Sequence, residues 1–394
     1  MIWARVPLGE IAEVAAGGGA PQAQEEFGED GHPFVRAGSL KGLVSGGAAA
    51  ALEHLTPANA AKHKLRLFPV DTVLFAKSGM SASIGLVHRL SWSAYVVNHL
   101  AAVICGDRLD SRFLHQYLRA FSPTHLIQDP AYPSIRLGDI AGLKIPLPPL
   151  PEQRRIAAIL DQADALRTKR REALAELDQL TQSIFVEMFG DPVTNPKGWD
   201  VQALKNLSAR IQIGPFGSQL HEEDYIDDGI PLVNPTHIKD GRLYPSRSLT
   251  ISESKHQQLV QYHLSKGDLI MGRRGEMGRC AVVTEKEAGW LCGTGSLFVR
   301  PNNSCLLPIY LRQVLSSRSM RKHLENVAQG VTMANLNKEI VGALPIPTPP
   351  IHVQHAYVVQ LAKVENIGNA QNLSLIEINS LFSSLQHRAF RGEL

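Results

Sequence analysis

The segment Asn234-Pro235-Thr236-His237 comes close to the Asn-Pro-Pro-Tyr/Phe tetrapeptide that methylation of adenine at N6 requires. It lacks the second proline and the aromatic ring that would stack on a flipped base. No glycine-rich cofactor loop opens a helix upstream, so methyl transfer by this chain is not expected. Asp240 with Glu253-Ser254-Lys255 supplies the carboxylates and lysine of a nuclease, but the gap is long and such a tripeptide arises by chance in a chain of this size. It reads as a solvated helix start. His352 and His355 are spaced to share a metal on one helical turn, yet no third ligand lies nearby and no cysteine pair has finger spacing. They read as a surface pair. No GxxxxGKS/T loop is present to hold ATP. What remains is a set of basic side chains on loops, which can clamp phosphates or reach the edges of bases.

Net charge is only +3, with 44% hydrophobic and 20% charged residues. This is the balance of an ordinary folded protein, so any surface for a polyanion must be local. Residues 191–350 carry the surplus, 18 basic against 15 acidic groups. Within them Lys239, Arg242, Arg247, Lys255, Lys266, Arg273, Arg274 and Arg279 follow an acidic cluster, Glu222, Glu223, Asp224, Asp227 and Asp228. That polarity suggests one face for phosphates and another turned away. Arg273-Arg274-Gly275 follows an apolar strand and should sit on a turn, where a guanidinium reaches a guanine edge or a phosphate. Its counterpart earlier in the chain is Lys77-Ser78-Gly79. His237 and Lys239 correspond to Ser39 and Lys41 on the loop after a strand, with Arg36 close by. Thr332 and Asn335, and Ser134 and Arg136 in the other half, are weaker DNA-contact candidates.

These pairings rest on an internal repeat. Residues 147–153 read LPPLPEQ and residues 348–354 read TPPIHVQ, an offset of 201. Ser183, Ile184 and Phe189 match Ser384, Leu385 and Phe390 at the same offset, so nothing is inserted between the anchors. Upstream, residues 31–35 parallel 229–233, and Tyr117-Leu118-Arg119 parallels Tyr310-Leu311-Arg312. Each half opens with short apolar runs between turns, as in a mixed α+β globule. A proline cluster then ends the globule, because proline continues neither a strand ladder nor a helix interior.

From 152 to 189 there is neither Gly nor Pro, which predicts a long helix of roughly 55 Å. Its stripe is Ile156, Leu160, Ala163, Leu174, Leu177, Ile184 and Met188; the second helix has Tyr357, Leu361, Val364, Leu375, Ile378, Phe382 and Leu385. Both follow a 3.5-residue period and fail in the middle, near Arg167 and near Gly368. Such rods are too long to bury a stripe on one small domain, so an antiparallel pairing is expected. Helix 2 is poor in charge and suits a protein partner. The expected layout is an α+β chain with globules at 1–150 and 190–350 and long helices at 151–189 and 351–394. The four cysteines are too sparse for a disulfide framework. With no export signal and no membrane span, the expected location is the cytoplasm.

The segment PLPPLPEQRRIAAIL at 146–160, Met188-Phe189-Gly190-Asp191-Pro192 with Trp199, and the terminal SLQHRAFRGEL resemble the specificity subunits of Type I restriction-modification systems, the HsdS family. In the second globule, residues 214–218 and 266–270 with Arg273-Arg274-Gly275 are similar too. The resemblance implies two tandem-duplicated target-recognition domains, each reading one half of a bipartite double-stranded DNA target, separated by two antiparallel helices acting as a ruler. It also implies two methyltransferase subunits that bring S-adenosylmethionine. A restriction subunit, where one accompanies them, brings ATP and Mg, and this chain holds no cofactor of its own. Two other readings stay open: a coiled-coil scaffold whose globules bind protein, and a self-contained methyltransferase or nuclease. Salt-dependent DNA affinity and methylation by the chain alone discriminate them.

Overall fold

The computed structural model describes residues 3–328 and 335–394. The chain forms two compact units, residues 1–172 with 372–394, and residues 173–371. Each joins one mixed α/β domain to parts of both long helices, so the units cut across the helices and do not coincide with the four sequence segments.

In the first unit a four-stranded antiparallel sheet runs in the order Ala12–Ala16, Leu100–Cys105, Val73–Ala76, Val87–Arg89. Val73–Ala76 is apolar at every position because both faces are covered. Val73 and Phe75 enter one core with Leu114 and Tyr117, while Leu74 and Ala76 enter another with Phe34 and Tyr95, as the two-residue period of a strand requires. A smaller sheet pairs His32–Val35 in parallel with Ala94–Val96.

The second unit repeats this plan. Its antiparallel sheet runs Ser208–Ile213, Ser296–Pro301, Leu269–Gly272, Cys280–Val282. Ile230–Val233 pairs in parallel with Leu291–Cys292.

The proline clusters depart from expectation. Lys144–Pro146 and Pro345–Pro347 are strands, paired with Arg5–Pro7 and Val201–Ala203. These are two-stranded ladders, in which each strand has a free edge that tolerates a missing N–H. The helices begin just after, as Leu150–Phe189 and Ile351–Ala389. Pro151 fits the first turn, where its N–H would be unpaired anyway.

Gln153 and Gln354, equivalent in the repeat and fully buried, fasten each helix to the domain before it. Gln153 Nε2 donates to the carbonyls of Arg108 and Pro148, and its Oε1 accepts from the N–H of Asp110. Gln354 does the same with Cys305, Pro349 and Leu307. Each satisfies loop groups that would otherwise be buried unpaired.

Within each unit the helices run antiparallel. In the first, Arg155 donates to the carbonyl of Leu394 and Arg167 to Asn379; in the second, Gly368 lies against Leu177 and Phe189 against Tyr357. The first domain's core takes Ile156, Ala157 and Leu160 from the helix that follows it, Phe382 and Ala389 from the other, and Phe390 just past that helix's end. The second core takes Tyr357 and Leu361 from its own helix and Phe185 and Phe189 from the other. Phe185 and Phe189 are buried more deeply than the expected Ile184 and Met188, which pack at the margin. The domain surface displaces the helix–helix seam there. Between Leu160 and Phe185, and between Val364 and Phe382, neither helix has a fully covered apolar side chain.

Candidate nucleic-acid interface

In the second unit, strands Ile238–Lys239 and Arg242–Leu243 form a hairpin in which Lys239 faces Arg242. Asp240 and Gly241 turn it, with φ of 50° and 70°, the left-handed pair that a two-residue turn between twisted strands needs. Like charges directly opposite on a ladder repel. Among the described residues neither cation has an acidic partner, so an arriving anion would relieve the repulsion. The hairpin packs on strand Cys280–Val282. Just before it, Pro235 accepts from Arg279 and lies against Gly272 at the end of strand Leu269–Gly272. The turn 273–279 and the hairpin therefore share one edge.

On that turn Arg274 is exposed and, among the described residues, free of an acidic partner. Arg273 is not free: its Nε donates to the carbonyl of Leu336 at 2.8 Å, and burial pulls its pKa below the usual guanidinium value. His237 is buried and its Nδ1 lies 3.0 Å from the carbonyl of Leu232 and 3.2 Å from the N–H of Asn234. Burial lowers its pKa despite the carbonyl, so the neutral ring caps its own loop rather than facing outward. Asn335 is half-buried and its Oδ1 lacks a partner among the described residues; Thr332 lies outside them.

In the first unit Lys41 is exposed on helix Leu40–Val44, with Ser39 half-buried just ahead of it. This helix packs on Val87–Arg89, the strand equivalent to Cys280–Val282, so Lys41 and Lys239 occupy matching positions. Arg36 is committed internally, to Glu53 at 2.8 Å and over the rings of Phe27 and Phe34. Lys77 and Ser78 follow the central strand, the N–H of Lys77 donating to His99 and its carbonyl accepting from Ile135. Ser78 Oγ lies 2.8 Å from His99 Nδ1. Ser134 bridges Ser78, and Ser134 and Arg136 are both exposed.

Sequence reasoning missed a third basic element. Arg318, Arg321 and Lys322 lie on helix Arg318–Ala328 and line a cleft of about 1310 Å³ with Lys239, Arg279 and Arg312. Glu276 joins Arg279 to Arg321 there. These two pairings hold Glu276 below the ordinary carboxylate range, the Arg279 bond contributing most. The signal was the spacing 318, 321, 322, which puts three cations on one helical face. Among the described residues no group of three or more metal-ligand side chains occurs, and His352 and His355 are exposed beside buried Gln354. No described helix is long and apolar enough to cross a membrane.

Two domains of one plan thus carry basic side chains at matching turns. The model of the Type I restriction modification DNA specificity domain matches this sequence at residues 2–178 and again at 196–378. The chain belongs to that family. Membership makes it a specificity subunit, whose role is DNA recognition and not catalysis. It is 22% identical to the Type I restriction enzyme EcoBI specificity subunit of Escherichia coli, over 100% of this chain and 86% of that protein. Among solved structures, the S subunit of a Type I system from M. genitalium has a TM-score of 0.61 at 14% identity, covering 98% of this chain and 96% of that one. A chain from a study of assembly and conformational transition in a type I R-M system also has a TM-score of 0.61, at 20% identity, with 100% and 98% covered.

Proposed function

We propose that each domain reads one half of a bipartite double-stranded DNA target and that the long helices set the distance between the halves. The observation that carries this reading is the duplicated placement, beside the same strand, of cations with no acidic partner among the described residues: Lys41 by Val87–Arg89, and Lys239 with Arg242 by Cys280–Val282. Lys77 and Arg274 add charge on the turns after the two central strands. Because the recognition surfaces are similar but not identical, the half-sites differ in sequence. The repeated helix–domain junctions offer two equivalent docking surfaces, one for each of two methyltransferase subunits on opposite strands. S-adenosylmethionine is held by those subunits, and ATP and Mg by a restriction subunit where one is present. The complex works in the cytoplasm, where its DNA lies.

Mapping N6-methyladenine across DNA from cells with and without this protein tests the reading. A split motif of fixed spacing that disappears with the protein is the expected result. Methylation unchanged by its removal, or confined to one uninterrupted motif, overturns it.

A further inference from the structure

We propose that a polar relay of Arg119, Asp164, Arg167 and Asn379 locks the register of the two long helices against the first domain, and so determines how strictly the spacer between half-sites is measured. The inference rests on the function proposed above. Arg167 Nε donates to Asn379 Oδ1 at 2.7 Å and its Nη1 to Asp164 Oδ1 at 2.8 Å. The other Asp164 oxygen takes Arg119 Nη1 at 2.6 Å. The Arg167 guanidinium lies 4.2 Å from the centre of the Phe382 ring, and its side chain is only 17% exposed. Arg167 thus ties the two long helices to each other, and Asp164 beside it ties them to the helix Ser111–Ala120 of the domain.

The location matters because the apolar seam gives way here, with no fully covered side chain on either helix through its middle. A seam of similar apolar knobs discriminates poorly between registers. A partly buried polar pair is satisfied in one register only. Sliding by one helical turn moves a helix about 5.4 Å, more than the ~3.4 Å rise of a base pair.

The duplicated half shows that the fold does not itself demand the relay. Its equivalents of Arg119, Asp164, Arg167, Asn379 and Phe382 are Arg312, Glu365, Gly368, Asp178 and Thr181. No ion pair joins them among the described residues, and Arg312, Asp178 and Thr181 instead line the open cleft. The lock therefore exists on one side only.

The test uses the full chain assembled with its methyltransferase subunits, and duplexes carrying the split target with its natural spacer or one base pair more or less. Arg167→Met should lower the ratio of methylation at natural over altered spacers by about tenfold, the scale of one charge-assisted hydrogen bond. Half-site preference should stay as it was. Asn379→Ala, a milder change at a half-exposed position, should lower the ratio less, and Arg167→Lys should restore part of it. Ratios equal to wild type in both Arg167→Met and Asn379→Ala overturn the relay, as does an equal loss at every spacer. A wild-type complex that methylates no split target overturns the functional reading, and the relay falls with it.

Discussion

The two junctions between helices and domains solve one packing problem in different chemistry. In the first unit, the ring of Phe390 closes on Phe113, Tyr117 and Phe121, and the seam beside it is charged, with Arg119, Asp164 and Arg167 in a chain. In the second unit, Phe185, Phe189, Tyr310 and Tyr357 make a continuous aromatic cluster, and the place of the charged chain is a cleft. The pivot is shared: Phe189 and Phe390 are repeat equivalents, and each reaches the tyrosine of the domain its helix enters. A duplicated frame thus preserves the apolar anchor and lets the polar neighbourhood diverge, because the anchor stabilises by area whereas the polar groups need only be mutually satisfied.

Truncating the anchors gives the largest effect. Phe390→Ala should destabilise the first unit by about 3–5 kcal/mol and Phe189→Ala the second by a similar amount, each leaving a cavity among aromatic rings. Hydrogen exchange resolved by domain reads this; equal loss of protection in both units from either change would break the comparison.

Acid should separate the units next. His115 lines the first junction and burial holds its pKa down to about 4, from 6.5; the equivalent position in the second unit is Pro308. The unfolded chain takes up a proton near the unperturbed value and the folded one resists it. The stability is therefore present above that value and lost as pH falls toward the folded pKa. Going from neutral pH to about pH 4.5 should cost the first unit about 2 kcal/mol through His115, a contribution the second unit lacks at Pro308. His115→Asn should flatten the dependence in a denaturant titration.

Tyr357 sharpens the contrast at smaller scale. Its hydroxyl is buried without a partner among the described residues, where the repeat has Ile156. Tyr357→Phe should raise stability by about 1 kcal/mol, since it removes an unmet polar group and leaves the ring. The smallest effect belongs to Gly368→Ala. The added Cβ would lie 3.9 Å from Leu177 Cδ1, an ordinary contact, so helix propensity should stabilise by about 0.5–1 kcal/mol. A lower unfolding midpoint in either variant would show the second junction to be packed more tightly than its cleft implies.

The helices were legible because their signals are local and repeated: no Gly or Pro from 152 to 189, and matched Phe, Gln and Pro positions at one offset. The strands after which the basic residues sit were legible for the same reason. The status of each basic residue was not. Arg36 and Arg273 looked as free as Lys41 and Arg274, yet Glu53, which pairs with Arg36, is 17 positions away, and Leu336, which pairs with Arg273, is 63 away. His237 looked like a loop ligand and is a buried cap. A turn's position follows from its own residues, but whether its side chain is already spent depends on what the fold brings alongside.

By itself, the order of residues pointed to a duplication, to paired long helices and to binding rather than catalysis. Periodicity and absent motifs are properties of short stretches, so they survive without coordinates. The tertiary structure alone decided which aromatic closes which domain, and that Arg167 meets Asn379 across 212 positions. Such contacts are satisfied by geometry between distant segments, and no local pattern specifies them.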